Sequence, residues 1–270
     1  MRKSSVKRKA STAYVLCIVF PTQLLFAGDR TDVDHPLKYE EPRVLTGRIY
    51  AKGAQASNLV FTFNRSATRT GMTLNVLREY KYPDGKLAAR ERVVYEGDNL
   101  VFYELEELQI GARGRAEIRR APNASAKGRV EFEYSKNAAS ERKPERDSEA
   151  LEKDTLVNDM VGPFLVSHWE ALNSGREQRC RYIVVPRRET VGFTFRKQSE
   201  SMWQGRPVII VKMSATSPVI AALVDPLFFT IEKSDPHRVF TYVGRTTPKI
   251  QSGRKWKDLD ALTVFDWETR

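Results

Sequence analysis

The 270-residue chain predicts a mainly β protein: a curved antiparallel sheet, or half-barrel, with a kinked mid-chain helix packed on its concave face. Three observations predict it. Aromatic and aliphatic residues alternate with polar ones in short runs across both halves of the chain, the period of half-buried strands. One stretch alone, residues 156–175, carries helical periodicity. An apolar helical stripe must be covered, and the only cover this chain offers is sheet.

In chain order, Arg2, Lys3, Lys7, Arg8 and Lys9 form a basic lead, followed by apolar runs from Ala13 to Phe20 and from Leu24 to Ala27. Pro21 interrupts them. The pattern reads as a signal peptide over 1–27, too short to stay as a membrane span. This predicts export across the inner membrane, with the periplasm as destination. Cys17, preceded by Leu16 rather than a small residue, reads as part of that signal. The remaining chain has roughly 240 residues, enough for one large or two small domains. Cys180 is then the only thiol, so the fold must rest on its core. The net charge of +11 falls to +6 without the signal. That is mildly basic, suited to peripheral rather than integral contact with anionic envelope surfaces, and it points to no nucleic-acid partner.

Residues 28–43 read as an extended lead-in. Its Asp32, Asp34 and His35 lack a second cluster that would complete a metal site. From 44 to 267 a single β-rich domain is expected. Leu59, Phe61 and Phe63 alternate with Val60, Thr62 and Asn64; Arg65 to Gly71 reads as a turn; Met72, Leu74 and Val76 alternate with Thr73, Asn75 and Leu77, and Tyr80 and Tyr82 continue the apolar face. Pro83-Asp84-Gly85-Lys86 supplies turn chemistry. Arg90–Tyr95 and Leu100–Leu105 flank Glu96-Gly97-Asp98-Asn99 as a hairpin. Gly111 to Arg115 reads as a loop of solvated arginines, and Arg129–Tyr134 as a further strand. Residues 137–153 hold nine charges and no aromatic, the composition of a mobile charged linker.

The helix of residues 156–175 is expected in two pieces, because Pro163 cannot donate to the carbonyl of Asp159. Ser174-Gly175 closes it. Strands follow at 178–185, 190–197 and 207–213, then a short helical segment near 219–224, and strands at 227–232, 238–244 and 262–267.

Chemistry is sparse. His35, His168 and His237 lack metal-site spacing, and no G-x-S-x-G or H-E-x-x-H motif is present. His168 reads as a buried histidine bonded to a carbonyl, His237 as an exposed turn residue, and Glu104, Glu106 and Glu107 as a solvated strand edge. No catalytic residue, cofactor or metal is predicted, and nothing positive supports an enzyme. The aromatic face is the better lead. Phe61, Phe63, Leu74, Met160, Phe164, Trp169, Phe193, Phe195 and Phe229 are the candidate lining of a cavity between sheet and helix, the usual place for an apolar ligand in such a fold.

The segment Ser217-Pro-Val-Ile-Ala-Ala-Leu-Val-Asp-Pro-Leu-Phe-Phe-Thr-Ile-Glu232, followed by Arg238-Val-Phe-Thr-Tyr-Val-Gly-Arg-Thr-Thr247, resembles the lipoprotein-carrier (LolA/LolB-like) half-barrel superfamily and its exported bacterial relatives. The resemblance implies a half-barrel over residues 44–267 that binds a lipid or a lipoprotein acyl chain, and it implies no catalytic residue. The competing expectation is a structural or adaptor protein of the envelope, with the same face filled as core and the charged linker docking a protein partner.

Overall fold

A computed structural model describes residues 39–52, 58–121, 127–140, 142–222 and 224–267. The signal peptide and most of the lead-in, including His35, therefore lie outside the described residues. The described residues belong to one compact unit, His35–Arg270.

Fifteen strands form one sheet. The first meander runs β1 (Val44–Ala51), β2 (Leu59–Thr70), β3 (Thr73–Lys81), β4 (Leu87–Glu96), β5 (Asn99–Glu107), β6 (Ala112–Arg119), β7 (Arg129–Ser135) and β8 (Glu145–Ala150). After β9 (Thr155–Leu156) come helices α1 (Asn158–Ser167) and α2 (Trp169–Asn173). The second meander runs β10 (Gln178–Val184), β11 (Glu189–Trp203), β12 (Arg206–Ala215), helix α3 (Pro218–Ala221), β13 (Leu227–Glu232), β14 (Val239–Ser252) and β15 (Lys255–Asp266). The spatial order is β8 back to β1, then β15 back to β9. First and last strands pair, with Arg48 opposite Val264 and Tyr50 opposite Leu262. The architecture is β-barrel-like but unclosed, because β8 and β9 end the ladder.

Side chains tie the β8 edge to the start of β11 and the turn before it instead. Glu149 of β8 accepts from the Thr190 backbone N–H at 2.8 Å and from the Thr190 hydroxyl at 2.7 Å. Glu145 pairs with Arg188 at 2.7 Å. A 3-10 turn, Val185–Arg187, packs against β6 and β7.

Four expectations change. The segment read as a linker holds β8, which pairs with β7 from Arg129–Ala150 to Tyr134–Glu145. Its charges suit an edge strand, where they deter pairing with another chain. The Gly111–Arg115 loop is the start of β6. Ala112, Gly114, Ala116 and Ile118 face inward while Arg113, Arg115, Glu117 and Arg119 face out. The alternation was disguised because its inward residues are small. A Cβ on Gly114 would sit 2.4 Å from Val185 Cγ1 and 2.7 Å from Tyr134 Cδ2, so the packed 3-10 turn leaves no room for a larger one. The turn expected at Arg65–Gly71 is strand up to Thr70, because Arg65 is buried and paired rather than solvated. Finally, α1 continues through Pro163, and the break falls at His168 with φ −102° and ψ 20°.

Alternate residues of each strand face one interior. Its larger apolar cluster gathers Leu74, Val93, Phe132, Phe164, Leu165, Leu172, Ile183, Phe195 and Ile231, with Phe164 5.3 Å from Phe195 ring to ring. A smaller cluster, formed by Ile49, Phe61, Phe63, Tyr80, Ala88, Ala89, Leu259 and Ala261, lies where β1 meets β15.

Candidate ligand cavity

A cavity of about 1200 Å³ is lined by α1, α2 and α3 and by strands of both meanders. Small-molecule sites usually measure roughly 300–1,000 Å³, so this one has room for a larger guest. Its apolar wall includes Phe63, Val161, Trp169, Phe193, Met213 and Phe229.

Of the nine residues expected to line it, Phe63, Trp169, Phe193 and Phe229 do so. Phe61, Leu74, Met160, Phe164 and Phe195 are packed into the core instead. The reason is local: Phe164 is covered by Phe195 on one side and His168 on the other, and Phe61 tilts against Tyr82. The period of a strand tells which residues face inward, but not which of them meet another side chain there.

Another part of the wall is polar, and it adjoins the apolar part where Arg78 lies 5.0 Å over the Phe63 ring. Asp159, in the first turn of α1, accepts from Arg65 through both carboxylate oxygens at 2.6 and 3.1 Å, and from the Tyr95 hydroxyl at 2.9 Å. Arg78 reaches the same carboxylate at 3.4 Å. Its Nε also lies 3.0 Å from Glu91 Oε2 as an ion pair, without a squarely aimed N–H. Glu91 in turn accepts from Asn158 Nδ2 at 2.7 Å, from the Tyr80 hydroxyl at 3.3 Å and from the Thr247 hydroxyl. The Tyr182 hydroxyl donates to the side-chain carbonyl of Asn158. Two arginines and two carboxylates thus balance one another inside the protein, and buried charges persist only when paired in this way.

The pKa directions follow. Burial alone would raise Asp159, but the Arg65 guanidinium and its hydrogen bonds, then Arg78, outweigh burial and hold the carboxyl below its usual range. Burial alone would lower Arg78; Tyr80, Glu91 and Asp159 outweigh it and hold the guanidinium charged. Burial pushes the Tyr80 phenol up to about 12. Burial, then the Glu91 charge, raises Tyr103 and Tyr182 well above the ordinary phenol value. Asp159 and Arg78 therefore stay charged, and Tyr80, Tyr103 and Tyr182 neutral, at neutral pH.

The histidines and glutamates find separate places. His168 Nδ1 lies 2.9 Å from the Phe164 carbonyl, as expected, although its ring is half-buried rather than buried. His237 is not the exposed turn residue expected: its ring stacks on Trp169 at 3.9 Å and 16°. Glu104 pairs with Arg113 at 2.6 Å, but it is not the solvated edge expected: β5 lies between β4 and β6 and the Glu104 side chain is 13 % exposed. Glu107 is buried and pairs with Lys249 at 3.2 Å. Cys180 is buried, as expected, and its thiol is pushed up to about 12 by burial. Among the described residues, no group of three or more His, Cys, Asp or Glu is placed to hold a metal ion, and no helix is long and apolar enough to cross a membrane.

Sequence reasoning missed Arg65, Arg78, Glu91 and Asp159. The signal was there for the strand residues: Arg65 follows Phe61 and Phe63 at the same parity, Arg78 lies between Val76 and Tyr80, and Glu91 between Ala89 and Val93. Inward parity at three neighbouring strands announces a buried charge cluster that needs a partner.

No family model matches the chain, and no curated protein matches it. Among solved structures it is similar to a crystal structure described as a beta-barrel-like protein of domain of unknown function DUF1849 from Brucella abortus. The identity is 7 % and the TM-score 0.41, over 83 % of this chain and 94 % of that one. A match at that score lends no weight, and the β-barrel-like architecture rests on the strand pairing itself.

Proposed function

We propose that the protein is an exported envelope protein, periplasmic in location, that holds an apolar ligand, a lipid or acyl chain, between sheet and helices. In this reading α1 and α2 lie across the concave face as a lid, bent at His168, and membrane contact is peripheral. The observation that carries it is the cavity of about 1200 Å³ with Phe63, Trp169, Phe193 and Phe229 on its wall. A filled core, as the adaptor reading requires, would not leave that volume. The resemblance of residues 217–247 to lipoprotein carriers contributes the ligand class alone.

Uptake of phenylnaphthylamine, an uncharged apolar fluorophore, by the delipidated protein tests the reading. Emission should rise saturably with an affinity in the micromolar range, and Trp169 emission should fall by energy transfer. Val161→Trp, which fills the cavity with an indole, should weaken uptake about tenfold. A folded protein that takes up no probe overturns the proposal.

A further inference from the structure

We propose that the cavity selects a single-chain amphiphile with an uncharged, hydrogen-bonding head, such as a monoacylglycerol, and that Tyr103 meets that head. The inference deepens the lipid-binding reading and rests on it. Three features of the wall lead to it.

First, the charges along the polar wall are already matched. Arg65 and Arg78 face Asp159 and Glu91. Lys249 faces Glu107 at 3.2 Å and Asp258 at 2.8 Å, and Arg245 faces Asp258 and Asp260 at 2.7 and 2.9 Å. A carboxylate or phosphate head would have to take a cation from its partner, leaving a carboxylate uncompensated in a partly desolvated site. An ammonium head would do the converse.

Second, the exposed carboxylates of the lining that have no ion-pair partner among the described residues are Glu41, Glu170 and Asp235, set against exposed Arg187, which is itself paired with Glu189. Such a rim repels an approaching anion. Inside the rim, Tyr103 completes the case. It is 4 % exposed and lines the cavity from β5. The hydroxyls of Tyr80, Tyr182 and Tyr242 each have a partner within the protein, the last donating to the Arg245 carbonyl at 2.7 Å. The Tyr103 hydroxyl has none among the described residues. That hydroxyl opens onto the cavity rather than being fully buried; a ligand that displaces water there would leave it without a partner, which is costly, unless a hydroxyl or ester carbonyl on the ligand supplies one without disturbing any ion pair.

The test is displacement of phenylnaphthylamine from the delipidated full chain by three amphiphiles sharing one monounsaturated chain: monooleoylglycerol, oleate and oleylamine. Monooleoylglycerol should displace the probe at a concentration about tenfold below either charged competitor, and Tyr103→Phe should weaken it about threefold while leaving probe affinity unchanged. Oleate or oleylamine competing as well or better overturns the inference and leaves the lipid-binding reading standing. Failure of all three to displace a bound probe also overturns the inference alone, whereas failure of the probe itself to bind removes both readings. An unchanged affinity in Tyr103→Phe removes Tyr103 from the head site, and the Tyr103→Phe protein's unchanged probe binding guards against misreading a folding defect.

Discussion

At its N-terminal end, α1 is held by hydrogen-bonded charge: Asp159 takes Arg65, Arg78 and Tyr95, and Asn158 bridges Glu91 to Tyr182. One turn further and beyond, the same helical segment is held by rings: Phe164 between Phe195 and His168, and Trp169 face to face with His237. Apolar packing is non-directional and tolerates sliding; a bidentate guanidinium–carboxylate pair does not. The charged end therefore sets where the helix sits and in which register. The aromatic end packs the helix against the interior and puts Trp169 on the cavity wall. If the helices open as a lid, the charged end is the fixed point and the α2 end is the moving one.

That contrast can be broken at either end. The largest effect should come from Asp159→Ala, which strands Arg65 and Arg78 in the interior and should cost about 4 kcal/mol, as breaking a buried pair does. Urea denaturation reads it, and a loss under about 1 kcal/mol would mean the cluster does not fix the helix. The same carboxyl gives a pH signature. Its folded pKa lies below 3.8, so its contribution is complete above the unfolded value and fades as pH falls through the folded one. Wild type and Asp159→Ala should accordingly converge in stability in acid well below pH 3.8 and stay apart at neutrality; a gap independent of pH would contradict the ion-pair account.

Phe164→Ala should cost about 3 kcal/mol, the lower part of the range for emptying a buried phenylalanine site, since half-buried His168 can shift toward the gap. Its deficit should be the same at pH 7 and in acid, which separates the two ends of the helix more sharply than either number alone. His237→Ala should cost least, about 1 kcal/mol, the worth of one aromatic pair. Its clearer readout is a red shift of Trp169 emission as the indole loses its cover. If emission and probe uptake are both unmoved, the Trp169–His237 stack does not seal the cavity.

The fold was legible in the sequence wherever inward residues were large. Phe61 and Phe63, the Gly97 hairpin, and the strands at 178–184 and 227–232 announce themselves through period and turn chemistry. Strand β6 was hidden because Ala112, Gly114 and Ala116 carry little hydrophobic signal; at Gly114 the size is dictated by Tyr134 on neighbouring β7 and by Val185 of the 3-10 turn. Strand β8 was hidden because an edge strand is charged for protection, and composition alone cannot tell such a strand from a linker. Half of the candidate site was legible for the same reason. Phe63, Trp169, Phe193 and Phe229 are apolar and inward, but so are Phe61 and Phe195, which the cavity does not reach.

What the sequence determined by itself, then, was local: alternation, turns, the single helical stretch and the parity of each residue, because each depends on neighbours a few positions away. Tertiary structure decided everything that depends on residues meeting across the interior. It closed β1 on β15, brought Asp159 to Arg65 across 94 positions, turned His237 onto Trp169, and left a cavity where side chains from two meanders fail to fill the space between them. Burial energies and charge pairing act between surfaces, and which surfaces meet is known only once the sheet has curved.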